Sequence, residues 1–407
     1  MCARGRAAML GPMMRALALS LGLALGPMAA PAGAVPCGGS FARFLEGLEA
    51  EAPRHGVRRA EARAFLNGGA QEPAVLRADR AKSFFQLDFL AFAGRLISAN
   101  RLQRGAQMAG RWAGLFEQIE ARGGVSRGVL LALWAFETDY GAVQGETNTR
   151  NALLTLAHDC RRPELFRPQV FAAMQLAARG DLDPATTTGA WAGEVGMVQM
   201  LPADILAHGV DGDGDGHVRL KTSAPDALMS AAHKLRALGW APGQPWLHEV
   251  VLPAGGLDWA QTGLAAPRKV RDWQRAGLRG RNGPLGPGGL EAALLLPMGR
   301  NGPAFLAYPN FEVLLEWNRS LTYVTTTAYF ATRLEGAPPL DPRAPDAGLS
   351  GEEMRTLQRA LAARGHDVGD VDGILGEKTR AAVRAEQARL GWPADAWPTP
   401  ALVQALR

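Results

Sequence analysis

Apolar residues recur at helical spacing along most of the chain between about residue 40 and residue 240. The stretches that carry this pattern are FARFLEGLEAEAPRHG, SFFQLDFLAFAGRLISANRLQRGAQMAGRWAGLFEQIEARGG and VSRGVLLALWAFETDYG. Such spacing is typical of helices that bury one face. Gly123 and Gly124 end one predicted helix, and Ser126 is placed to cap the next. We therefore predict a mainly α fold for this part of the chain.

The pattern changes between about residue 250 and residue 300. Glycine and proline become frequent there, and the short runs EVVLP and AALLLP predict small strands among loops. The segment NFEVLLEWNRSLTYVTTTAYFATRLEG then returns to helical spacing. The sequence thus predicts one large helical domain, residues 35–335, that includes a small β-containing part.

Two further units complete the predicted organisation. Residues 336–349, GAPPLDPRAPDAGL, are rich in proline and have little to bury, which is typical of a semi-rigid linker. Residues 350–407 contain two amphipathic helical stretches, EEMRTLQRALAARGHDV and EKTRAAVRAEQARLG, joined by GDVDGILG. We predict a small helical domain at this end of the chain.

The first 34 residues differ from the rest. Three arginines precede ALALSLGLALG, an apolar run too short to span a bilayer, and Ala32-Gly33-Ala34 supplies small residues for signal-peptidase cleavage. We predict a signal peptide over residues 1–34. Proline before Cys37 does not fit a lipoprotein signal, so we expect a soluble periplasmic protein without a lipid anchor or a transmembrane segment after cleavage.

The charge balance argues against nucleic acid as a partner. The 407-residue chain has a net charge of +5, but three of its 44 basic residues and none of its 39 acidic ones lie in the predicted signal peptide. The mature chain would be nearly neutral, with no clustered Lys/Arg stripe. Its hydrophobic content of 47% and charged content of 20% are ordinary for a globular protein.

Two cysteines, Cys37 and Cys160, remain after the predicted cleavage. In an oxidising compartment, two such thiols more often form a disulfide than remain free. We therefore expect these two residues to pair, although sequence alone does not show that they meet.

Glu137 is the first candidate for chemistry. It follows an uninterrupted apolar run, Val129–Phe136, and precedes Gly141. A carboxyl group at the end of such a buried helix would be partly desolvated, which raises its pKa towards the range that a general acid needs. The alternative is a helix end that simply returns to water.

The segment GAWAGEVGMVQMLP, residues 189–202, is the second candidate. Gly193 and Gly196 would let the backbone approach a ligand closely, and Gln199 offers both a hydrogen-bond donor and an acceptor. Close packing of helices would explain the glycines equally well.

A metal site is indicated by the DGDGDGH motif that starts at residue 211. Asp211, Asp213 and Asp215, with the backbone carbonyl of His217, match the first positions of an EF-hand calcium loop. The expected glutamate at position twelve is absent, and Asp226 could close a longer loop. We predict a structural calcium ion and no cofactor for catalysis; the alternative is a solvated acidic turn.

Five ordered motifs together resemble a known family. They are LWAFETDYG, LLTLAHDCRRPELF, AGEVGMVQMLPADILAHGVDGDGDG, ALMSAAHKLRALGW and GPAFLAYPNFEVLLEWNRSLTY. In this order they are similar to the MltB-like lytic murein transglycosylases (glycoside hydrolase family 103), which have a lysozyme-like helical core. The turn Asp372–Gly376 and its flanking helices resemble a three-helix peptidoglycan-binding domain, which implies that function for residues 350–407.

The resemblance implies a role for each matching residue. The catalytic acid falls on Glu137, and a serine found near it in many members is replaced by Ala190. Glu194 stands where a small residue is usual and is expected to line the cleft. The remaining implied substrate contacts are Arg162, Gln199, Trp317, Asn318 and Tyr323.

The implied activity is cleavage of glycan strands of peptidoglycan to give 1,6-anhydromuramyl ends, with one carboxyl group acting as acid and then as base. Proteins of cell-wall synthesis or hydrolysis are the further expected partners. Two alternatives stay open. One is a hydrolytic muramidase with Asp139 or Glu194 as its second carboxylate. The other is a wall-binding scaffold without catalysis.

Overall fold

Most of the described chain is helical. The computed structural model describes residues 35–80 and 87–407, so the predicted signal peptide lies outside the described residues. The helices are α1 (Phe41–Glu51), α2 (Arg59–Leu66), α3 (Pro73–Arg80), α4 (Phe89–Leu96), α5 (Ala99–Arg111), α6 (Ala113–Gly123), α7 (Arg127–Thr138), α8 (Thr149–His158), α9 (Pro163–Arg179), α10 (Pro202–His208), α11 (Ala224–Ala237), α12 (Val270–Arg275), α13 (Pro309–Trp317), α14 (Leu321–Leu334), α15 (Gly351–Ala363), α16 (Glu377–Arg389) and α17 (Pro400–Ala405). Within these ranges, no helix combines the length and apolar character that a membrane span requires.

Helix α7 lies at the centre of the large domain. Its residues from Gly128 to Ala135 are buried, as the uninterrupted apolar run predicts. The side-chain oxygen of Ser126 accepts a hydrogen bond from the Gly128 amide at 3.0 Å and caps the helix. Helices α5, α11 and α14 pack against it. The buried helix therefore fixes the position of the residues at its end.

Two long helical stretches of the sequence are broken in the structure. The first divides into α4, α5 and α6, and the Ser98 hydroxyl caps the start of α5. The second divides into α13 and α14 at residues 318–320, and Ser320 caps α14 by accepting a bond from the Tyr323 amide at 3.3 Å. Periodicity does not report such breaks, because both halves keep one face buried. The second break brings Trp317 and Tyr323 to the same side of α7.

A small sheet subdomain follows α11. Its strands are β3 (Leu247–Val251), β4 (Arg268–Lys269), β5 (Arg279–Gly280), β6 (Glu291–Leu295) and β7 (Phe305–Ala307), and they pair antiparallel in the order β4-β6-β7-β3-β5. Leu294 and Leu306 pack with Trp273 in its core. Strands β1 (Thr147–Asn148) and β2 (Thr188–Gly189) form a separate ladder near α7. The predicted β-containing part of the large domain is thus confirmed.

The C-terminal helices α15, α16 and α17 form a small unit with its own core, which includes Leu357, Val383 and Leu402. This unit contacts the sheet subdomain. The Arg380 guanidinium donates to the Pro297 carbonyl at 2.8 Å, and the amide of Arg300 donates to Asp395 at 3.0 Å. The small domain is therefore docked on the large one.

The connecting segment, residues 336–349, has no helix or strand and runs along the large domain. The Leu340 amide donates to the Tyr329 hydroxyl at 2.9 Å, and the Asp341 amide donates to the Glu249 carboxylate at 2.8 Å. These bonds fix a segment that has little apolar surface of its own.

A disulfide joins Cys37 to Cys160, with the two Cα atoms 5.2 Å apart. Beside it, the Gly38 amide donates to the His158 carbonyl at 2.8 Å. The bond ties the start of the described chain to the turn between α8 and α9. Arg162 lies on that same turn.

Candidate active site

Glu137 lies in the last turn of α7 with its side chain partly buried. One carboxyl oxygen, Oε1, accepts two hydrogen bonds. The Tyr323 hydroxyl donates at 2.7 Å, and the Trp317 indole N–H donates at 3.2 Å. One donor lies on each side of the break between α13 and α14, so the break places both donors at Glu137.

Burial raises the pKa of Glu137 to about 7, because desolvation disfavours the charged form. The hydrogen bonds from Tyr323 and Trp317 lower the pKa again, Glu194 raises it by charge repulsion, and Lys234 lowers it. Burial and the neighbouring Glu137 hold the pKa of Tyr323 well above its usual value, so its hydroxyl remains a donor. Glu137 is thus poised between its two protonation states near neutral pH.

The proton of neutral Glu137 has one favoured position. An indole N–H can only donate, and the Tyr323 hydroxyl donates to the same oxygen. A proton on Oε2 leaves both hydrogen bonds to Oε1 in place, which favours Oε2 as the position of the proton. The arrangement therefore favours one direction of proton transfer.

The segment from Thr188 to Met200 lies beside the end of α7. The Thr138 hydroxyl donates to the Met197 carbonyl at 2.6 Å and so links helix and segment. Gly196 has a φ of 85°, and a Cβ there would stand 2.5 Å from Leu220, so only glycine fits. Gln199 has a positive φ of 49°, and its side-chain amide donates to the Gly196 carbonyl at 2.8 Å. In this structure the Gln199 amide holds the segment together.

Glu194 interacts electrostatically with both Glu137 and Arg162. Burial raises the pKa of Glu194, and the positive charge of Arg162 offsets this effect only in part. Asp79, whose side chain is 1% exposed, anchors Arg162 through an ion pair. Oε2 of Glu194 and Nε of Arg162 are both buried without a hydrogen-bond partner. The pair leaves one acceptor and one donor unsatisfied.

Asp139 lies outside this arrangement. Its backbone is in the left-handed region, φ 52°, and its carboxylate forms ion pairs with Arg101, at 3.1 Å, and with Arg104. Burial alone would raise the pKa of Asp139, but the hydrogen bonds from these arginines hold it below its usual range. Its carboxylate is thus held in a structural ion pair with these two arginines.

Asn318 ends α13, and its side-chain oxygen accepts a bond from the Ser320 amide at 2.9 Å. It shapes the break between α13 and α14. Contact with substrate remains a prediction for all the residues to which the resemblance assigned it: Arg162, Glu194, Gln199, Trp317, Asn318 and Tyr323.

Two residues of the site were missed from the sequence. Lys234 stacks over the Trp317 ring at 4.7 Å, and Asp79 anchors Arg162. Lys234 stands among the buried residues Ala231, Ala232 and Leu235 of α11. His233 and Arg236 stand close to it near the end of the same helix, so no local signal marked Lys234 as a residue of the site.

The acidic loop brings three carboxylates together. Asp211, Asp213 and Asp226 each place an oxygen within 4.8 Å of the others. The Asp215 carboxylate instead pairs with Arg219 at 2.7 Å, and the His217 ring bonds Asp181 at 3.1 Å. Asp215, also predicted as a ligand, is not one of the three clustered carboxylates. Metal binding by Asp215 and by the His217 carbonyl stays a prediction.

A helical body with one buried glutamate at the end of its central helix, and a small helical unit docked beside it, defines the class of protein. Residues 40–332 match the family model described as the transglycosylase SLT domain, and residues 350–406 match a peptidoglycan-binding domain. The chain belongs to this family of transglycosylases.

Individual relatives agree with this assignment. The chain is similar to SltB3 of Pseudomonas aeruginosa in complex with NAG-anhNAM-pentapeptide, with 38% identity and a TM-score of 0.83 over 91% of this chain and 100% of that one. It is also similar to the lytic transglycosylase Slt35 of Escherichia coli in complex with calcium, with 25% identity and a TM-score of 0.63 over 74% of this chain and 96% of that one.

A curated relative is the membrane-bound lytic murein transglycosylase B of Escherichia coli strain K12. It is 26% identical over 236 residues, which cover 58% of this chain and 64% of that protein. The alignment thus spans somewhat less than two thirds of the relative.

Proposed function

We propose that the protein is a lytic transglycosylase of peptidoglycan that cleaves the bond between N-acetylmuramic acid and N-acetylglucosamine and leaves 1,6-anhydromuramyl ends. The observation that carries the proposal is the environment of Glu137. Its burial, its pKa of about 7 and the two donors on Oε1 suit an acid that gives up a proton from Oε2.

The reaction uses Glu137 twice. Neutral Glu137 gives its Oε2 proton to the bridging oxygen, the bond from that oxygen to the muramyl C1 breaks, and the N-acetylglucosamine leaves as an alcohol. The muramyl C6 hydroxyl then attacks C1 of the cation-like intermediate, and its proton returns to Glu137. The anhydro sugar named in the SltB3 complex is the product expected of this route.

A hydrolytic muramidase is the second candidate. A glycosidase of that kind generally needs two carboxylates at the scissile bond. Asp139 is occupied by Arg101 and Arg104, so Glu194 is the carboxylate beside Glu137 that could serve a hydrolase. The anhydro sugar bound in the similar SltB3 favours the transglycosylase over the hydrolase.

Mass spectrometry of fragments released from purified murein tests the proposal. Wild type should give anhydromuramyl ends, Glu137→Gln should give none, and Asp139→Asn should give the same chemistry as wild type. Reducing ends from wild type would instead establish a hydrolase, with Glu194 as the base to examine. Absence of fragments from wild type, with murein binding intact, would overturn both enzymatic candidates in favour of a wall-binding scaffold.

We also propose that Asp211, Asp213 and Asp226 hold a structural calcium ion. Hard oxygen ligands are those that calcium prefers, and the three oxygens are close enough to share one ion. Slt35 is named as a calcium complex, which supports the proposal. Asp226 is fully buried and accepts hydrogen bonds from the Gly212 and Arg219 backbone amides, which attach the loop to the first turn of α11. The ion would stabilise the loop and take no part in catalysis.

Residues 1–34 are proposed to be a signal peptide that directs the protein to the periplasm. The Cys37–Cys160 disulfide supports an oxidising compartment. Sequencing of the N-terminus of protein recovered from the periplasm would show cleavage after Ala34. A mature chain that begins at a lipid-modified Cys37 would overturn the proposal.

A further inference from the structure

Lys234 contacts Trp317, which in turn donates a hydrogen bond to Glu137. It lies on α11 with its side chain only 13% exposed, and its Nζ is 2.8 Å from the Asp204 carboxylate of α10. The same Nζ lies 4.7 Å from the centre of the Trp317 ring. The ammonium group thus sits between a fixed anion and an aromatic face, which is the arrangement of a cation–π contact.

Trp317 is partly buried, and its ring packs against the core of the large domain. It is the last residue of α13, directly before the irregular residues 318–320, so the helix does not continue beyond it. Its indole N–H donates to Oε1 of Glu137 at 3.2 Å. A rotation of the ring would remove this bond. Lys234 stacks over the ring whose orientation decides whether the bond forms.

We propose that Lys234, held by Asp204, is a positioning residue of the transglycosylase reaction: it fixes the Trp317 indole against Oε1 of Glu137 and so keeps the acid's proton on Oε2. The inference rests on the proposed role of Glu137 and adds a residue that does not touch the reacting atoms.

The charges that face Glu137 come from several elements. Lys234 of α11 lowers the pKa of Glu137, and Glu194 of the 188–200 segment raises it. The hydrogen bond from Tyr323 of α14 lowers it as well. Asp204 partly offsets the charge of Lys234, and Arg162 partly offsets that of Glu194.

Asp139, on the same helix as Glu137, is neutralised by Arg101 and Arg104. Removal of the Lys234 charge therefore takes away a stabiliser of ionised Glu137, and the pKa of Glu137 should rise. Loss of the ordered indole donor acts in the same direction, since that bond also favours the charged form.

A purely structural role for Lys234 would look different. The Lys234–Asp204 ion pair joins α10 to α11, and its loss could lower the melting temperature without any effect on Glu137. The test therefore needs a signal from the Trp317 indole itself, measured on the full-length protein.

The experiment follows the indole N–H resonances of the ¹⁵N-tryptophan-labelled protein across pH. The Trp317 resonance is assigned from its loss in Trp317→Phe. In wild type it should titrate with Glu137, near pH 7. In Lys234→Met, which keeps the aliphatic stem, its midpoint should move upward and its position should change. Lys234→Arg should behave as wild type, and so should Lys269→Met, which removes an exposed lysine of β4.

Kinetics on a soluble glycan complete the test. Lys234→Met should lower kcat by about threefold to tenfold with little change in KM, because a stacking contact that orients the donor is lost. Asp204→Asn should lower kcat as well, since Lys234 keeps its charge but loses the ion pair that holds it. Unchanged Trp317 resonance and kcat in both variants would overturn the proposal.

Failure of the proposed function is distinguishable from failure of this inference. If Glu137→Gln kept full activity, Glu137 would not be the acid. The Trp317 titration would still be present in wild type and absent in Glu137→Gln, and Lys234→Met would still move it. Activity thus tests the catalytic role, and the indole resonance tests the contact.

Discussion

Glu137 and Asp139 stand two residues apart at the end of α7 and have opposite environments. Two arginines hold Asp139 ionised, whereas Glu137 faces a tyrosine, a tryptophan and a second carboxyl group in a partly buried site. The same functional group therefore becomes a structural ion-pair partner in one case and a candidate acid in the other. Environment, and not residue type, separates the two roles.

At the residue scale, Glu194→Gln should shift the pH dependence of cleavage. The Glu194 charge raises the pKa of Glu137, so its removal lowers that pKa. Because the acid must be protonated to cleave, the basic limb of the kcat/KM profile should move to lower pH. Glu194→Asp, which keeps the charge, is the matched control. An unmoved limb in Glu194→Gln would mean that the two carboxyl groups are not coupled.

At the scale of elements, the break between α13 and α14 builds the site. Had residues 309–334 formed one continuous helix, Trp317 and Tyr323 would stand six positions apart on it and would point in different directions. Ser320 caps the second helix and resets its start. The cap at Ser320 thus helps to place the Trp317 and Tyr323 donors at one carboxyl oxygen of Glu137.

The Cys37–Cys160 disulfide should stabilise the large domain. It closes a loop with a sequence separation of 123 residues. Its loss should cost roughly 2 to 5 kcal/mol by restoring freedom to the unfolded chain. Reductant should therefore lower the melting temperature of wild type but not that of Cys37→Ser/Cys160→Ser. Equal melting curves with and without reductant, with the thiols shown to be free, would contradict this.

The acidic loop gives a second prediction at this scale. Chelation with EDTA should lower the melting temperature, and added calcium should restore it. Asp213→Asn should abolish this dependence because Asp213 is in the carboxylate cluster. Asp215→Asn should keep it, since Asp215 pairs with Arg219. No change in melting of protein that has been shown to be metal-free would remove the site.

At the scale of the whole molecule, the two domains meet through a buried cation. Burial lowers the pKa of Arg380 to about 10, and its guanidinium donates to the Pro297 carbonyl of the large domain. It also lies over the Trp397 ring at 6.0 Å. The small domain is held by contacts of this kind, and not by the connecting segment alone.

Arg380→Ala should loosen this docking. The Pro297 carbonyl would lose its partner, at a cost of about 1 to 3 kcal/mol. Limited proteolysis within residues 336–349 should then become faster. Arg389→Ala, on the same helix but with its side chain 54% exposed, should be cut at the wild-type rate. Equal cleavage rates for both variants would indicate that Arg380 does not hold the interface.

The sequence by itself determined which faces are buried and where local structure starts. The apolar run of α7, the cap at Ser126 and the helices of the small domain could all be predicted from residues close together in the chain. The mainly helical fold with its small sheet was predicted from those patterns and is confirmed. Membership of the transglycosylase family was predicted from the resemblance of five ordered motifs and is confirmed as well.

Only the tertiary structure decided what lies against each buried face. The donors to Glu137 are 180 and 186 residues away in the chain, and Lys234 enters the site through Trp317. Periodicity records that a face is covered but not which side chain covers it. The hydrogen bonds that lower the pKa of Glu137 and the ion pairs of Asp139 with Arg101 and Arg104 depend on contacts between distant segments, so no local pattern could predict them.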